Sequence, residues 1–341
     1  MLTTIQDAVK LLLPQKRKTS ASGWVSFNAP CCQHNGENVD TRGRGGLVFN
    51  ADGGTSYHCF NCNFKANYTP GRHLNYKFRK LLSWLGASEN EVKRLVIDAI
   101  RVRELVAPED VKEEKEEVSF KVRPLPNEAR SLYELLDFYL LNDGRDIPED
   151  LDTAVDYLRS RHINFERYDF YWTPETEHNY HKRIIVPLYW KKQLVGSTAR
   201  TFTDGIKPKY YSDYEPNYVF NTDLQTPEKK FVIVVEGPFD AMAIDGVAIM
   251  SNECSEVQAD IIDSLGKEVI VVPDADKAGM KLVNQAIEYG WSVSFPVWQE
   301  TCKDINEAVV KYGKLFVLKT ILESKESSRL KIELKKKLLN G

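Results

Sequence analysis

The fold of this 341-residue chain is decided by two short apolar runs together with the acids after them: Phe231-Val-Ile-Val-Val-Glu236 and Glu268-Val-Ile-Val-Val-Pro-Asp-Ala-Asp276. Val- and Ile-rich runs of this length predict strands that are buried on both faces of a parallel sheet. Carboxylates follow each run: Glu236 after the first, Asp274 and Asp276 after the second. Ligands of open α/β sheets bind beyond the carboxyl ends of the strands, so we expect the three acids to share one crevice. Like charges at close range need a cation, and Mg²⁺ suits carboxylate and phosphate oxygens.

Two further acids accompany this predicted site. Asp304 follows a third strand-like run, Trp291 to Trp298, and Asp240 lies at the predicted start of a helix. A negative charge in the first turn of a helix is favourable, so we interpret Asp240 as a structural acid and not as a further metal ligand. Any single carboxylate could simply cap a turn, but acids at successive strand ends favour a common site.

Charge is unevenly distributed along the chain. Residues 1–80 contain 11 Lys and Arg against 4 Asp and Glu, while the whole chain has a net charge of −3. A basic N-terminal segment suits a polyanion such as nucleic acid, although a solvated basic face would have the same composition. No apolar run is long enough to cross a bilayer, no secretory signal is visible, and six cysteines are too few for a disulfide scaffold. We expect a protein of a reducing cytoplasm with no membrane partner.

Cysteine and histidine form pairs near the N-terminus. Two residues separate Cys31 from His34, and two separate Cys59 from Cys62. Two such pairs predict a tetrahedral Cys₃His zinc site, which is closed and therefore structural. Cys32 could replace Cys31 as the ligand, so this choice stays open.

Aromatic and basic residues surround the cysteine pairs. Aromatic rings interleaved with cations are typical of single-stranded nucleic-acid binding, but a small zinc module must also bury some of them, and we expect that of about half. His58 is a further contender for the metal, whereas Cys254 and Cys302 lack partner spacing and should fill apolar space. The surrounding residues are Trp24, Phe27, Phe49, Tyr57, Phe60, Phe64, Arg42, Arg44, Lys65 and Arg72.

The acidic motifs resemble those of a known domain family. Glu236-Gly-x-x-Asp240 and Asp274-x-Asp276 are similar to the two motifs of the Toprim domain, which serves topoisomerases, primases, nucleases and a recombination mediator. Lys303-Asp304 resembles a third acidic motif, in which Asn306 replaces the later acid. This resemblance implies Mg²⁺-dependent nucleic-acid chemistry without specifying the reaction.

The flanking residues narrow the resemblance to DnaG-type primases. Tyr157-Leu-x-x-Arg161-His-Ile is similar to an element of that family, with His162 in place of the usual Gly, and the cysteine and histidine pairs resemble its CHC2 zinc-binding module. The resemblance runs from about residue 24 to residue 312 and is closest to compact bacteriophage primases. Its basic subdomain is matched by Arg183-Ile-Ile-Val-Pro187, Gly196, Arg200 and Pro208-Lys-Tyr210.

The resemblance implies a DNA primase, a nucleotidyltransferase that makes short RNA primers on single-stranded DNA from ribonucleoside triphosphates. It implies one structural Zn²⁺ and one or two catalytic Mg²⁺ or Mn²⁺ ions, with a replicative hexameric helicase as partner and, for a phage protein, a location in the host cytoplasm. Glu236 would be either a metal ligand or the proton acceptor. The implied catalytic residues are Glu236, Asp274, Asp276 and Asp304, with Mg²⁺ on the first three, and the implied phosphate-binding residues are Arg161, Arg183, Arg200 and Lys209.

The predicted fold is α/β, or α+β overall. The zinc ribbon precedes a charged, proline-punctuated linker, a mixed α/β basic subdomain, a Toprim domain with a mostly parallel sheet, and a helical tail. The corresponding boundaries are 1–105, 106–129, 130–228, 229–312 and 313–341.

Three other classes of protein share parts of this pattern. A zinc- and Toprim-containing recombination mediator would lack the basic subdomain of residues 157–210. A Toprim nuclease normally carries an ATPase, and no G-x-x-x-x-G-K-[ST] loop occurs in this sequence. A type I topoisomerase needs a tyrosine nucleophile in a far larger clamp. A primase remains the favoured prediction.

Overall fold

A computed structural model of the chain describes residues 5–72, 74–105, 118–141, 147–165, 167–174, 179–274, 279–299 and 302–340. Asp276 and residues 106–117 of the predicted linker lie outside these ranges. The chain divides into two units, residues 1–116 with 263–266 and residues 117–262 with 267–341. No helix among the described residues is long and apolar enough to cross a membrane.

The N-terminal unit is built on a five-stranded antiparallel sheet in the order β1-β2-β3-β4-β5. Its strands alternate between buried and accessible side chains, as expected of a sheet with one face on the core. The elements are α1 (Ile5–Leu12), β1 (Lys18–Thr19), β2 (Val25–Phe27), β3 (Gly45–Phe49), β4 (Thr55–Cys59), β5 (Lys65–Tyr68), α2 (Tyr76–Trp84) and α3 (Glu89–Leu105).

Two local features organise this unit. β3 and β4 form a hairpin, with Phe49 paired to Thr55 across the Asp52-Gly-Gly turn. A capping box begins α3: the Ser88 peptide N–H donates to Glu91 Oε2 at 2.7 Å, and the Glu91 peptide N–H donates to Ser88 Oγ at 3.3 Å. These reciprocal bonds satisfy peptide groups that otherwise lack partners where α3 begins.

The second unit opens with an antiparallel sheet in the order β10-β9-β8-β7-β6. Its long central strands β8 and β9 are buried along most of their length, and their apolar side chains belong to the hydrophobic core of this unit. The elements are β6 (Arg130–Ser131), α4 (Leu132–Leu141), α5 (Glu149–Ser160), β7 (Tyr171–Trp172), β8 (Arg183–Trp190), β9 (Gln193–Thr201) and β10 (Tyr210–Tyr214).

A second five-stranded sheet follows, in the order β12-β11-β13-β14-β15. Its first three strand pairs are parallel and its last is antiparallel, which confirms the predicted α/β class. The elements are β11 (Phe231–Val235), α6 (Pro238–Ile244), β12 (Val247–Ala248), α7 (Glu256–Ser264), β13 (Glu268–Val271), α8 (Gly279–Tyr289), β14 (Ser292–Ser294), α9 (Ile305–Tyr312), α10 (Lys314–Glu323), β15 (Lys325–Glu326) and α11 (Arg329–Asn340).

The C-terminal segment is not only helical. Between α10 and α11 the chain adds β15 to the sheet, with Ser294 paired to Lys325 and Val293 paired to Glu326. Val317 and Ile321 on α10 are fully buried in the same core as the sheet. A two-residue strand of charged residues carries no apolar pattern, so the sequence offered no signal for it.

Candidate metal centre and acidic site

Four cysteine thiols form a compact group in the N-terminal unit. The sulfurs of Cys31, Cys32, Cys59 and Cys62 all lie within 4.8 Å of one another. Cys31 Sγ is 3.4 Å from Cys62 Sγ, and Cys32 Sγ is 3.6 Å from Cys59 Sγ. A tetrahedron of thiolates around Zn²⁺ at about 2.3 Å has edges of about 3.8 Å, so the group fits a structural zinc site.

Local structure brings adjacent cysteines to one point. Cys31 precedes a 3₁₀ turn over Cys32–Asn35 that ends at Gly36 with a φ of 76°, a conformation that glycine adopts readily. Cys59 ends β4, and a tight turn returns Cys62 towards it. The two cysteine-bearing turns, Cys31–Cys32 and Cys59–Cys62, which we call the first and second knuckles, therefore converge at one end of the sheet.

Polar hydrogens surround the thiols. Asn61 Nδ2 is 3.3 Å from Cys32 Sγ and the Asn61 peptide nitrogen is 3.4 Å from Cys59 Sγ. Tyr57 Oη is 3.3 Å from Cys31 Sγ. Such donors orient the ligands and stabilise thiolates, as outer-shell partners do around bound metals.

The pKa values of Cys31, Cys32 and Cys59 are shifted in different directions when no metal is bound. Burial is the largest influence on Cys32 and raises its pKa to about 11, and burial also raises the pKa of Cys31. Burial acts in the same direction on Cys59, but hydrogen bonds from the Cys62 and Asn61 peptide groups oppose it, and the net effect is a lowered pKa. Zn²⁺ would have to displace protons from the buried thiols, as usual for thiolate sites.

The structure replaces His34 with Cys32 in the predicted ligand set. The His34 ring stacks on Trp84, with ring centroids 4.8 Å apart and planes inclined by 8°, and it is not one of the clustered groups. His58 is also outside the cluster, and its Nε2 lies 3.0 Å from Asn63 Oδ1. The prediction of His34 relied on the equal two-residue gaps in the Cys31/His34 and Cys59/Cys62 pairs. In the structure, the turn at Cys31 instead brings the adjacent thiols of Cys31 and Cys32 into the cluster.

Asp40 fixes the loop between the first knuckle and β3. Its carboxylate accepts bonds from the peptide N–H groups of Ala29, Arg42 and Arg44, at 2.7–2.9 Å, and from Arg44 Nε at 3.0 Å. Burial opposes its ionisation, but these four donors prevail and lower the pKa of Asp40 to about 2. The carboxylate is 1% exposed, so it acts as a buried anchor.

The outer face of the ribbon carries an aromatic group. The Trp24 ring lies over Gly46, where a Cβ atom would come within 2.5 Å of it, which explains the glycine. The Phe60 ring centroid is 5.9 Å from that of Trp24 and 4.3 Å from that of His58. Phe60 is 67% exposed, while Lys65 pairs with His58 on the next strand. We call Trp24, His58 and Phe60 the aromatic platform.

The predicted sheet-edge acids in the second unit converge. Glu236 follows β11 and Asp274 follows its parallel neighbour β13, and the Asp274 peptide N–H donates to Glu236 Oε1 at 3.5 Å. A Cβ atom on Gly279 would lie 2.3 Å from the Asp274 carbonyl oxygen, so glycine allows α8 to begin close to the Asp274 backbone. Asp276 lies outside the described residues.

Asp240 and Asp304 extend this acidic crevice. Asp304 caps α9 by accepting from the Glu307 peptide N–H at 2.8 Å, and the next residue but one, Asn306, donates its peptide N–H to Asp240 Oδ1 at 2.9 Å. Burial, followed by the charge of Asp304, raises the pKa of Asp240 to about 7, and Asp274 adds to the effect. Asp240 is hydrogen-bonded to a helix terminus, in keeping with a structural acid.

Two of the four predicted phosphate-binding cations are buried. Arg183 is 3% exposed and donates to the backbone carbonyls of Pro208, Lys209 and Ala199. Its guanidinium therefore holds the loop that leads into β10. These bonds give Arg183 a structural role, and its assignment to phosphate binding stays a prediction.

Arg200 lies in an aromatic cage and is 5% exposed. Its guanidinium is 4.7 Å from the Phe239 ring centroid, 5.2 Å from that of Tyr210 and 5.7 Å from that of Tyr157, and it also donates to Tyr210 Oη. Register explains the contact, since Tyr210 lies directly opposite Arg200 across β9 and β10. The cage was missed because its rings come from three distant segments.

Lys209 and Arg161 remain accessible to a ligand. Lys209 is exposed, and loss of water around its ammonium, followed by the charges of Arg200 and Arg161, lowers its pKa, while Asp304 and Asp240 act against this. Arg161 has a quarter of its side chain exposed, with NH1 4.0 Å from Asp304 Oδ2. Both cations therefore lie close to the acidic crevice.

Comparisons with known proteins agree with the geometry of the second unit. Residues 233–309 match the Toprim-like family. A curated DNA primase of Aquifex aeolicus (strain VF5) is 23% identical over 152 residues, which are 39% of this chain and 30% of that protein. The chain thus spans about 30% of the length of its curated relative.

Solved structures of primases are also similar. The zinc-binding and RNA polymerase domains of Aquifex aeolicus primase align over 94% of this chain and 83% of that one, with 18% identity and a TM-score of 0.43. A DnaG primase catalytic domain bound to single-stranded DNA aligns over 57% of this chain and 78% of that one, with 18% identity and a TM-score of 0.44. Residues 233–309 form a Toprim-like domain, and the chain is similar to a DNA primase.

Proposed function

We propose that this chain is a DNA primase that joins ribonucleotides into short RNA primers on a single-stranded DNA template. The observation that carries the proposal is the convergence of Glu236, Asp274 and Asp304 with two accessible cations at the edge of a parallel sheet. Carboxylates for metal ions and cations for phosphates are the groups that nucleotidyl transfer needs.

Oxygen donors of the crevice suit Mg²⁺. Glu236 and Asp274 follow adjacent strands, and Asp304 is partly exposed nearby, so these carboxylates would hold the ion. Asp276, which the sequence predicts as a further ligand, lies outside the described residues. When bound, Mg²⁺ would lower the pKa of the attacking hydroxyl and neutralise charge on the phosphate.

The residues of the chain have separable tasks in this reaction. The 3′-hydroxyl of one nucleotide attacks the α-phosphorus of the next, and pyrophosphate leaves with the electron pair of the broken P–O bond. Glu236 would accept the hydroxyl proton or hold the ion. Lys209 and Arg161 would bind the triphosphate, where a fixed cation stabilises developing negative charge.

The N-terminal unit would contribute template binding. Its platform places a 67% exposed Phe60 beside Trp24 and His58, with Lys65 close by on the neighbouring strand. Bases of single strands stack on exposed aromatic rings while cations hold the phosphates. A structural Zn²⁺ on the four thiols would keep this small sheet rigid. We further propose a replicative hexameric helicase as the partner that supplies the template.

Primer synthesis tests the proposal directly. The full chain is incubated with single-stranded DNA, Mg²⁺ and labelled ribonucleoside triphosphates, and products are resolved on a denaturing gel. Short RNA products are expected from the wild-type chain and none from Glu236→Gln. Glu253→Gln is the matched control because Glu253 is exposed and its carboxylate pairs with the exposed Lys281 at 2.7 Å.

The same assay separates the other classes of protein. Cleaved template DNA would indicate a Toprim nuclease, and relaxation of a supercoiled plasmid in a parallel incubation would indicate a topoisomerase. Binding of single-stranded DNA with no RNA synthesis on any of the template sequences tested would favour a recombination mediator. Unimpaired primer yield from Glu236→Gln would remove Glu236 from the catalytic residues.

A further inference from the structure

Asn306 is the centre of an unusual contact with Arg161. Its side chain is completely buried, with 0% exposure. Asn306 Oδ1 accepts a hydrogen bond from Arg161 NH1 at 2.8 Å, while its Nδ2 donates to the Arg161 carbonyl oxygen at 2.9 Å. One side-chain amide thus binds both the guanidinium group and the backbone carbonyl of the same arginine.

Both bonds have clear physical reasons. Arg161 caps the C-terminus of α5, where the last carbonyl groups lack partners within the helix, and the Asn306 amide supplies one. An aspartate in this place could accept from the guanidinium but could not donate to the carbonyl. It would also place a buried charge beside Asp240, whose carboxylate already accepts the Asn306 peptide N–H.

The contact leaves Arg161 directed at the acidic crevice. Its guanidinium lies over the Tyr157 ring at 5.3 Å and its NH1 is 4.0 Å from Asp304 Oδ2. Arginine has five donors, and only one of them is occupied by Asn306 in a side chain that is still a quarter exposed. The remaining donors have room for an anionic ligand.

We infer that Asn306 is a positioning residue that fixes Arg161 as the triphosphate-binding cation of the crevice, and that it is not a metal ligand. This inference rests on the proposed function for the identity of the anion. The Asn306 oxygen is buried and accepts from Arg161, so residue 306 adds no ligand oxygen to the carboxylate that Asp304 supplies at the start of α9. A neutral amide replaces an acid at this position because it can both accept from the Arg161 guanidinium and donate to the Arg161 carbonyl oxygen.

A double-mutant cycle tests whether Asn306 acts through Arg161. Binding of ATP with Mg²⁺ is measured by equilibrium dialysis for the wild-type chain, Arg161→Ala, Asn306→Ala and the double variant. We expect Arg161→Ala to weaken ATP binding about tenfold, as for loss of a charge-assisted bond, and Asn306→Ala to weaken it about fivefold. In the Arg161→Ala background, Asn306→Ala should change ATP affinity by less than about twofold.

Controls separate positioning from general damage. Asn252→Ala, at an exposed loop residue, should bind ATP as the wild type does. Thermal unfolding establishes that each variant is folded, and Asn306→Ser, which keeps a donor and an acceptor, takes the place of Asn306→Ala in the cycle if the alanine variant is unfolded. In primer synthesis, KM for ATP should rise more than kcat falls, which a merely structural defect would not produce.

Three results would overturn the inference. The first is ATP affinity within about twofold of wild type in folded Asn306→Ala. The second is a loss of ATP affinity on Asn306→Ala that is as large in the Arg161→Ala background as in the wild-type background. The third is a fall in Mn²⁺ affinity in Asn306→Ala, measured by electron paramagnetic resonance, which would return the residue to the metal site. A chain that shows the expected cycle but makes no primer would refute the proposed function and leave the inference standing.

Discussion

Arg183 NH1 donates a hydrogen bond to the backbone carbonyl oxygen of Lys209 at 3.0 Å. One basic residue thus supports the backbone of another, and the two should respond differently to substitution. Arg183→Met should lower the free energy of unfolding by about 2–4 kcal/mol, since buried carbonyl groups lose their donor. Lys209→Met should leave stability nearly unchanged but lower kcat/KM for primer synthesis about tenfold or more, because the accessible ammonium is lost. Chemical denaturation and primer kinetics measure the two effects.

Reversal of this pattern would contradict the assignment. If Arg183→Met were stable and inactive while Lys209→Met were fully active, Arg183 would bind phosphate after all. Lys207→Met, at an exposed residue of the same loop, is the control for a nearby loss of positive charge.

The cysteine cluster makes a distinct prediction for zinc content. Cys32→Ser should lose the bound zinc because a thiolate is removed from the tetrahedron, whereas His34→Ala should retain about one zinc per chain. Elemental analysis of purified chains measures this directly. Retention of zinc in Cys32→Ser together with its loss in His34→Ala would restore the Cys₃His site that the sequence predicted.

Asp240 should make stability depend on pH in Mg²⁺-free buffer. Its folded-state pKa of about 7 is above the unfolded value near 4. The protonated carboxyl therefore contributes stability that is fully present below about pH 4 and is lost as pH rises to about 7. Asp240→Asn keeps an acceptor for the Asn306 peptide N–H. At pH 8 its free energy of unfolding should exceed that of the wild type by about 1–3 kcal/mol, and it should unfold at a higher temperature.

The difference in stability between Asp240→Asn and the wild type should shrink towards pH 5. It should also shrink when millimolar Mg²⁺ is added, since a nearby cation favours the charged carboxylate. Thermal unfolding between pH 5 and pH 8, with zinc retained, follows the trend. A gap that is constant across this range would show that the carboxyl group of Asp240 has an ordinary pKa.

The aromatic platform should bind single-stranded DNA. Phe60→Ala should weaken binding of a labelled oligonucleotide by about 1–3 kcal/mol, the usual value of one stacking interaction, without loss of zinc. Phe138→Ala on α4 is the matched control, because Phe138 is 59% exposed but lies in the other unit. Fluorescence anisotropy gives both affinities, and equal losses in the two variants would argue against a specific platform.

Sequence reasoning located the acidic crevice well because strand ends have a simple pattern. Glu236 and Asp274 follow apolar runs, and neighbouring parallel strands must bring such residues together. Cation roles were harder to predict, because burial of Arg183 and Arg200 depends on strand register and on rings from distant segments. Sequence spacing cannot distinguish a buried arginine from an accessible one.

Zinc ligands show a related limit. The sequence leaves open whether Cys31 or Cys32 is the ligand, whereas in the structure a 3₁₀ turn places both thiols in one cluster. The role of Asn306 also depends on a tertiary contact, since residue 161 is 145 positions away. The sequence shows that Asn306 replaces an acid, but only the folded chain shows that its amide makes two hydrogen bonds to one arginine.

The two-residue strand β15 has a consequence for the solution behaviour of the chain. It covers β14, whose unpaired peptide groups would otherwise form an open border of the sheet, available to another molecule. Its own residues, Lys325 and Glu326, are charged, and so short a strand is a poor template for further pairing. Fragments cut before residue 325 should therefore self-associate through β14, and expression trials of the isolated catalytic unit should extend beyond β15.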